Sequence, residues 1–261
     1  TNNQELLGFK RSHYDRLYFE LLYVDSERNI HDQFPIALQR ITNRSGHVPY
    51  SIVTQLDFIS LLMVPRAERL STLKEYIDYM RQKTNRHIVI VLDVISDCIS
   101  DFNNAGESLK LIDYMNSLIN EYDTTFICVI HENPNGGDKA RGHLGTELKN
   151  KASTVFQIGF KKRPNKEDSD IIVINVLKNR TGKRPDPIYA VFDSSSGGLI
   201  EIDKEDAEAI MDTPLTQKVT SRQIQDVLPE ILPCTRQQLI EILMERFSVS
   251  RNTVLKRFEE V

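Results

Sequence analysis

Apolar runs of strand length alternate with amphipathic helical patterns through the first half of the chain, and that alternation leaves few folds open. YFELLYVD (Tyr18–Asp25), HIVIVLD (His87–Asp93) and TTFICVIH (Thr124–His131) are nearly continuous in aliphatic and aromatic residues. Runs of this kind read as strands buried on both faces. Leu70, Leu73, Ile77 and Met80 fall at helical spacing before the second run, and Leu109, Ile112, Met115 and Ile119 do so before the third. Strand–helix–strand order predicts crossover units and an α/β fold with a mostly parallel central sheet covered by helices. Beyond His131 come TVFQIGF (Thr154–Phe160), DIIVINVLK (Asp170–Lys178) and YAVFD (Tyr189–Asp193), with fewer helices between them. That order predicts an antiparallel or mixed edge.

The pattern changes near residue 213, which suggests a core over 1–212 and a small module over 213–261. SSSGG (Ser194–Gly198) ends the strand-rich region, and the acidic EIDKEDAEAIMD follows. In the terminal stretch, Leu239, Ile242, Leu243 and Phe247 form one helical face and Val254, Leu255 and Phe258 another. The short FSVSRNT lies between them, with Ser250 placed to cap the second helix. This reads as a helix-turn-helix or winged-helix-like module, with Arg251, Asn252, Thr253, Lys256 and Arg257 in or near its second helix. Its charge is balanced, six basic against six acidic residues over 221–261, so DNA reading and a packing or protein-binding role both stay open.

Net charge is −4, which argues against a protein basic all over, but Lys139–Arg184 alone carries +8 and the remainder −12. A basic segment in an acidic chain marks a local anion-binding surface. No apolar run approaches the roughly 20 residues of a membrane span, and the first residues lack the apolar core of a signal peptide. Cys98, Cys128 and Cys234 are odd in number and far apart, which suits free thiols in a reducing cytoplasm.

In open parallel sheets, ligands bind beyond the carboxyl ends of the strands. Here those ends read Asp25-Ser26-Glu27, Asp93, His131 and Lys178-Asn179-Arg180. An aspartate at a strand end can hold Mg²⁺, a neighbouring glutamate can orient or deprotonate a water, and a histidine can hydrogen-bond a phosphate. Lysine and arginine two residues apart on a strand share a face and can neutralise a transferring phosphoryl group. Asp97, a turn beyond Asp93, could support a metal site or cap a helix. Taken singly each residue is ordinary, and the order of all four ends carries the signal.

That order resembles the RecA-like ATPase core, in particular the hexameric replicative and plasmid replication helicase branch. LLYVDSE is similar to the strand carrying the catalytic glutamate, HIVIVLD to the Walker B strand, FICVIHEN to the sensor strand, and VLKNRTG to the extension that reaches a neighbouring subunit. KARGHLGTELKNKAS resembles ATPases of bacterial mobile elements. The resemblance covers roughly residues 18–193 and implies a three-layer core. It implies Glu27 as catalytic carboxylate, Asp93 as Mg²⁺ ligand, His131 as γ-phosphate sensor, and Lys178 and Arg180 acting in trans. Arg141 would be an arginine finger or would face DNA. Lys139, Arg141, Lys149 and Lys151 would track phosphates of single-stranded DNA through a ring centre, with Gly136 and Gly137 shaping the loop. The terminal module would contact duplex.

No G-x-x-x-x-G-K-S/T stretch occurs in the 261 residues. Either the chain is a piece of a longer ATPase cut after its P-loop helix, or a natural protein lost the P-loop and kept the scaffold. The retained strand-end set favours the first. The cofactors implied are ATP and Mg²⁺ for the complete protein, none held tightly by this chain, which by itself should not hydrolyse ATP. The function implied is an ATP-driven DNA transaction in replication or mobilisation of a bacterial plasmid or mobile element, in a homo-oligomer, in the cytoplasm and away from membranes. The alternatives are a non-catalytic DNA-binding or regulatory protein on the same scaffold, or a signalling-type regulator that does not bind DNA.

Overall fold

A computed structural model describes residues 19–44, 56–133, 139–164, 167–193, 198–212, 221–231, 233–247, 249 and 251–258. The chain divides into two compact units, 1–202 and 203–261.

The first unit begins with a parallel four-stranded sheet of β1 (Phe19–Asp25), β2 (Leu56–Ser60), β3 (His87–Asp93) and β4 (Thr124–Val129), in the order β2-β1-β3-β4. Helices α1 (Gln33–Arg44), α2 (Arg69–Lys83) and α3 (Ala105–Tyr122) are the connections. The start and stop of α3 are written locally. Asn104 caps it by accepting from the Glu107 N–H at 3.0 Å, and the Glu107 carboxylate accepts from the Ser100 and Asp101 N–H groups. Asp123 ends it in the left-handed region at φ 48°.

One face of this sheet is the core. Leu22, Val24, Ile88, Ile90 and Leu92 are fully buried against Leu73, Ile77 and Met80 of α2 and Leu111, Met115 and Leu118 of α3. The expected faces need one correction. Leu109 and Ile119 are exposed, and the buried stripe of α3 runs Ser108, Leu111, Ile112, Met115, Leu118 and Tyr122. Both sets have helical spacing, so periodicity could not separate them. Docking on β3 and β4 does.

A second correction concerns burial on both faces. Along β3, buried and half-buried residues alternate strictly. The face opposite the core carries Tyr23, Val89 and Val91 half-buried and Ile127 and Val129 exposed. Among the described residues α1, whose β1→β2 crossover runs the opposite way, is the helix that belongs to that side, and much of the face stays only partly covered. The cause is direction. The β2→β3 and β3→β4 crossovers run the same way across the sheet, so right-handed connections put α2 and α3 on one side.

After α4 (Gly142–Lys151), a second sheet follows as an antiparallel meander, β5 (Thr154–Lys162), β6 (Asp168–Asn179), β7 (Ile188–Asp193) and β8 (Gly198–Ile202), in that order. The expected antiparallel edge is thus a sheet of its own among the described residues. Sequence reading missed β2 (LDFIS) and β8 (GLIEI), which are short and carry Asp57 and Glu201.

In the second unit, α5 (Lys204–Asp212), α6 (Ser221–Ile231), α7 (Arg236–Phe247) and α8 (Arg251–Phe258) follow. Ile224, Leu239, Ile240, Leu243 and Val254 form the small core of α6, α7 and α8. Ile240 is buried where Ile242, 38% exposed, was expected. No strand occurs among the described residues of this unit, so they form helices without a wing. Ser250 lies outside the described residues.

Cys98 is 4% exposed, and burial pushes its thiol up to about 11. At pH 8 only about one such thiol in a thousand is ionised, and the thiolate is the reactive form. Native Cys98 should therefore react with a disulfide reagent at least a hundredfold more slowly than free cysteine, as read by mass mapping of labelled peptides.

Candidate active site at the carboxyl edge of the parallel sheet

The parallel register sets Asp25 of β1 directly beside Asp93 of β3, and Asp93 beside Val129 of β4. Both aspartates end runs of apolar residues that fix strand length, so two carboxylates meet at the same level of the sheet edge. Asp25 is fully buried, and its Oδ1 accepts from the backbone N–H groups of Glu27 (3.0 Å) and Arg28 (2.7 Å). Ser26 joins the two strand ends. Its N–H donates to the Asp93 carbonyl at 2.8 Å, and its hydroxyl both donates to the Val94 carbonyl (3.1 Å) and accepts from the Val94 N–H (2.9 Å).

Two buried-edge carboxylates need a cation, and Arg28 supplies it. A single guanidinium nitrogen of Arg28, Nη1, pairs with Asp25, with Asp93 Oδ2 at 2.7 Å and with the Tyr23 hydroxyl at 2.9 Å. Tyr23 in turn donates to Asp93 Oδ2 at 2.7 Å. Burial disfavours the charge on Arg28, but its bonds to Asp93 and Asp25 more than reverse this, so its pKa lies above the usual value. Burial and the bond to Asp93 likewise push the Tyr23 hydroxyl well above its ordinary range. Sequence reading missed Arg28 and Tyr23. The available signal was the pair of acidic strand ends itself, since Arg28 is the nearest cation after Asp25.

Glu27 turns outward from this cluster. Its Oε1 lies 3.2 Å from Nε2 of His131, just past the end of β4. Both side chains are about half exposed, 51% and 57%. Glu27 and Arg28 also line a shallow groove with Gln33, Ile36, Ala37 and Arg40 of α1. Asp97 has different partners. It pairs with Arg66 (3.2 Å) and the buried Arg69 (3.5 Å), whose guanidinium also holds the carbonyls of Leu62, Val64 and Asp97. Asp97 is thus an ion-pair partner of these two arginines.

His131 opens a narrow ribbon. The Arg141 N–H donates to the His131 carbonyl and the Asn133 N–H to the Lys139 carbonyl, both at 2.9 Å, and Glu132 bridges Ala140. Gly136 and Gly137 lie outside the described residues. Lys139 and Arg141 are exposed, and the Arg141 guanidinium lies over the Phe102 ring, 4.6 Å from its centroid. Gly142 then turns the chain into α4 at φ +69°, with the Leu144 N–H donating to the Phe102 carbonyl at 3.0 Å.

Lys178 and Arg180 are found at the far end of α4. The Lys178 ammonium donates to the carbonyls of Lys149 (2.7 Å) and Asn150 (2.8 Å), and Arg180 Nη2 donates to Asn150 (2.8 Å). Cations on the last carbonyls of a helix satisfy acceptors that have no partner inside it. Burial, with Arg180 alongside, lowers the Lys178 pKa. A ten-residue helix is roughly 15 Å long, so within one chain this pair is not gathered with Glu27, Asp93 and His131. Lys151 is exposed and Lys149 half-buried on the last turn of α4, and Arg251 is exposed at the start of α8. The side chains of Asn252, Thr253 and Lys256 lie outside the described residues.

No protein-family model matches this chain, and no curated protein matches it in sequence. Solved structures are similar to it at low identity. An ATPase domain shares 8% identity over 70% of this chain and 75% of its own, with a TM-score of 0.49. A DnaB-like replicative helicase shares 10% over 70% of this chain and 52% of its own, at 0.48. The RadB recombinase shares 12% over 70% of this chain and 79% of its own, at 0.44. Likeness at these identities concerns the course of the chain alone.

Mg²⁺ is commonly held by one or two carboxylates together with substrate phosphates and water. Asp93 offers one such carboxylate, and its chemistry fits. Among the described residues no three His, Cys, Asp or Glu side chains converge as a metal site. Arg28 already neutralises Oδ2 of Asp93, so a metal ion there would require Arg28 to turn aside.

Proposed function

We propose that this chain carries the sheet and sensor portion of a RecA-like nucleotide hydrolase that acts on DNA, in replication or mobilisation of a bacterial plasmid or mobile element. The observation that carries the reading is the meeting of Glu27 and His131, 104 residues apart, beside Asp93 at the carboxyl edge of a parallel sheet. In this reading Glu27 orients and deprotonates the attacking water. His131, in contact with Glu27 and at the root of the Lys139–Arg141 ribbon, links the state of the phosphate to that ribbon. Lys139, Arg141, Lys149 and Lys151 follow the phosphates of single-stranded DNA, and Arg251 with its neighbours on α8 contacts duplex. Asp93 would hold Mg²⁺, which when bound with ATP offsets phosphate charge. Lys178 and Arg180 act on the nucleotide of a neighbouring copy. No G-x-x-x-x-G-K-S/T stretch lies in these 261 residues, so in this reading residues 1–261 by themselves do not turn over ATP. The setting is cytoplasmic, and among the described residues no helix is long and apolar enough to cross a membrane.

The test is DNA-stimulated phosphate release by the polypeptide as its own cells produce it. Glu27→Gln should lower the rate at least a hundredfold, because one carboxylate is the proposed base, while leaving DNA affinity within twofold. Residues 1–261 alone should release phosphate no faster than their Asp93→Asn variant. The second reading, a non-catalytic DNA-binding or regulatory protein, is favoured by the Arg28–Asp93 pair, which already neutralises the carboxylate a metal would need. A Glu27→Gln protein with unchanged biological function would select it.

A further inference from the structure

We infer that Phe102 is the positioning residue for Arg141: its ring seats the Arg141 guanidinium in advance for a phosphate group. The inference rests on the proposed function, which sets Arg141 on the phosphates of single-stranded DNA, and it adds the residue through which that contact is prepared.

The seat is fixed by local bonds. Phe102 lies on the connection between β3 and α3 and is half-buried against the core of the parallel sheet. Beside it, the Asn103 N–H donates to the Asp101 carboxylate at 2.8 Å and the Asn104 N–H to the Asp101 carbonyl at 3.1 Å. The Glu107 carboxylate accepts from the Ser100 and Asp101 N–H groups on the other side. The chain that carries Arg141 is fitted to this stretch. The Arg141 N–H donates to the His131 carbonyl (2.9 Å), the Gly145 N–H to the Arg141 carbonyl (3.1 Å), and the Leu144 N–H to the Phe102 carbonyl (3.0 Å). Gly142 leaves room for the ring, since a Cβ there would lie 2.6 Å from a Phe102 ring carbon. With the backbone held on both sides, the guanidinium rests over the ring, 4.6 Å from its centroid.

Among the described residues the Arg141 guanidinium donates to no carboxylate and no carbonyl. Other arginines of the same unit are spent on the fold. Arg81 gives its N–H groups to the carbonyls of Thr84, Arg86, Tyr122 and Asp123, and Arg180 gives one to that of Asn150. In Arg141 the ring takes one flat side of the guanidinium, and the N–H groups around its rim stay open to an acceptor. Five donors in a planar fork match the oxygens of a phosphate. Seating also adds to affinity, because a long side chain loses rotamer freedom when it grips a ligand, and a seated one has lost part of it beforehand. Phe102 therefore does for Arg141 what a bound phosphate would otherwise have to do. Lys139, exposed on the same ribbon, supplies the comparison.

The experiment takes two readings on the polypeptide as its own cells produce it. In NMR spectra of the free protein, the ring current of Phe102 should shift the Arg141 side-chain protons upfield. Phe102→Leu should remove that shift and Phe102→Tyr should keep it. In fluorescence anisotropy with a labelled oligothymidylate, Phe102→Leu should weaken binding roughly threefold, the scale of an exposed cation–π contact, while Phe102→Tyr should bind as the parent does. In an Arg141→Ala background Phe102→Leu should cost nothing further, and in a Lys139→Ala background its cost should be unchanged. A residue that served only the fold would weaken binding alike in both backgrounds. Arg141 protons at unshifted positions would overturn the inference, and so would a Phe102→Leu cost that persists without Arg141. The two readings also separate this inference from the one it rests on. An unshifted Arg141 whose replacement weakens binding removes the seat and leaves the proposed DNA contact. A shifted Arg141 whose replacement leaves affinity unchanged removes the DNA contact, and with it the phosphate role of the seat.

Discussion

Replacing Arg28 with methionine is expected to lower the free energy of unfolding by about 3 kcal/mol, because it leaves a buried carboxylate without its counter-ion. Asp25 has no exposure, and a single nitrogen of Arg28 serves Asp25, Asp93 and the Tyr23 hydroxyl together. Arg28 itself is 36% exposed. Some of its attraction is therefore screened, which sets the expected loss at the low end of that for buried pairs. Hydrophobic stem contacts are kept by methionine, so the loss reports the charge. The companion change is Asp25→Asn. An asparagine can keep the two backbone N–H bonds at Oδ1 and needs no cation. The double variant should then be more stable than Arg28→Met alone, with a coupling of at least about 1.5 kcal/mol in a double-mutant cycle by urea unfolding. A single-variant loss under about 0.5 kcal/mol, the scale of an ordinary surface change, would mean that Arg28 is a spectator and that the strand ends are held by Ser26 alone.

Gly142→Ala should cost a similar amount, about 3 kcal/mol, for a steric reason. Gly142 sits at φ +69°, and a Cβ there would lie 2.6 Å from both the carbonyl oxygen and a ring carbon of Phe102. The carbonyl cannot swing away freely, since it accepts from the Leu144 N–H and Leu144 is fully buried. The strain falls on the junction that leads from the His131 ribbon into α4. The variant should therefore also move the Arg141 guanidinium off the Phe102 ring, visible as a changed Phe102 ring resonance. Gly182→Ala is the control. Its Cβ would meet only the Asn179 side-chain amide at 3.6 Å, an ordinary contact, and its cost should stay within about 0.5 kcal/mol. Equal stability of the two variants would show that the turn at Gly142 is not a constraint.

Much of the scaffold was legible because strand-forming runs are local. His87–Asp93 was read to the residue, and β1, β4, β5 and β6 within about two residues at each end. The strand-end chemistry was legible for the same reason, since a polar residue closing an apolar run must stand at the sheet edge. The buried stripe of α3 and the exposure of Ile242 were not legible. Several helical stripes fit the same spacing, and only the partner surface chooses among them.

The sequence by itself determined which segments are strands, that Asp25, Glu27, Asp93 and His131 stand at strand ends, and that the positive charge is concentrated after His131. Only the tertiary structure decided who meets whom. It paired Glu27 with His131, gave the two aspartates to Arg28, turned Asp97 toward Arg66 and Arg69, and set Lys178 and Arg180 on the last carbonyls of α4. Among the described residues it also left one face of the parallel sheet only half-buried. The physical reason is one of range. Propensity and periodicity act over a few residues, whereas these contacts join positions tens of residues apart. Strand register and the handedness of crossovers fix them, and no short stretch of sequence carries either.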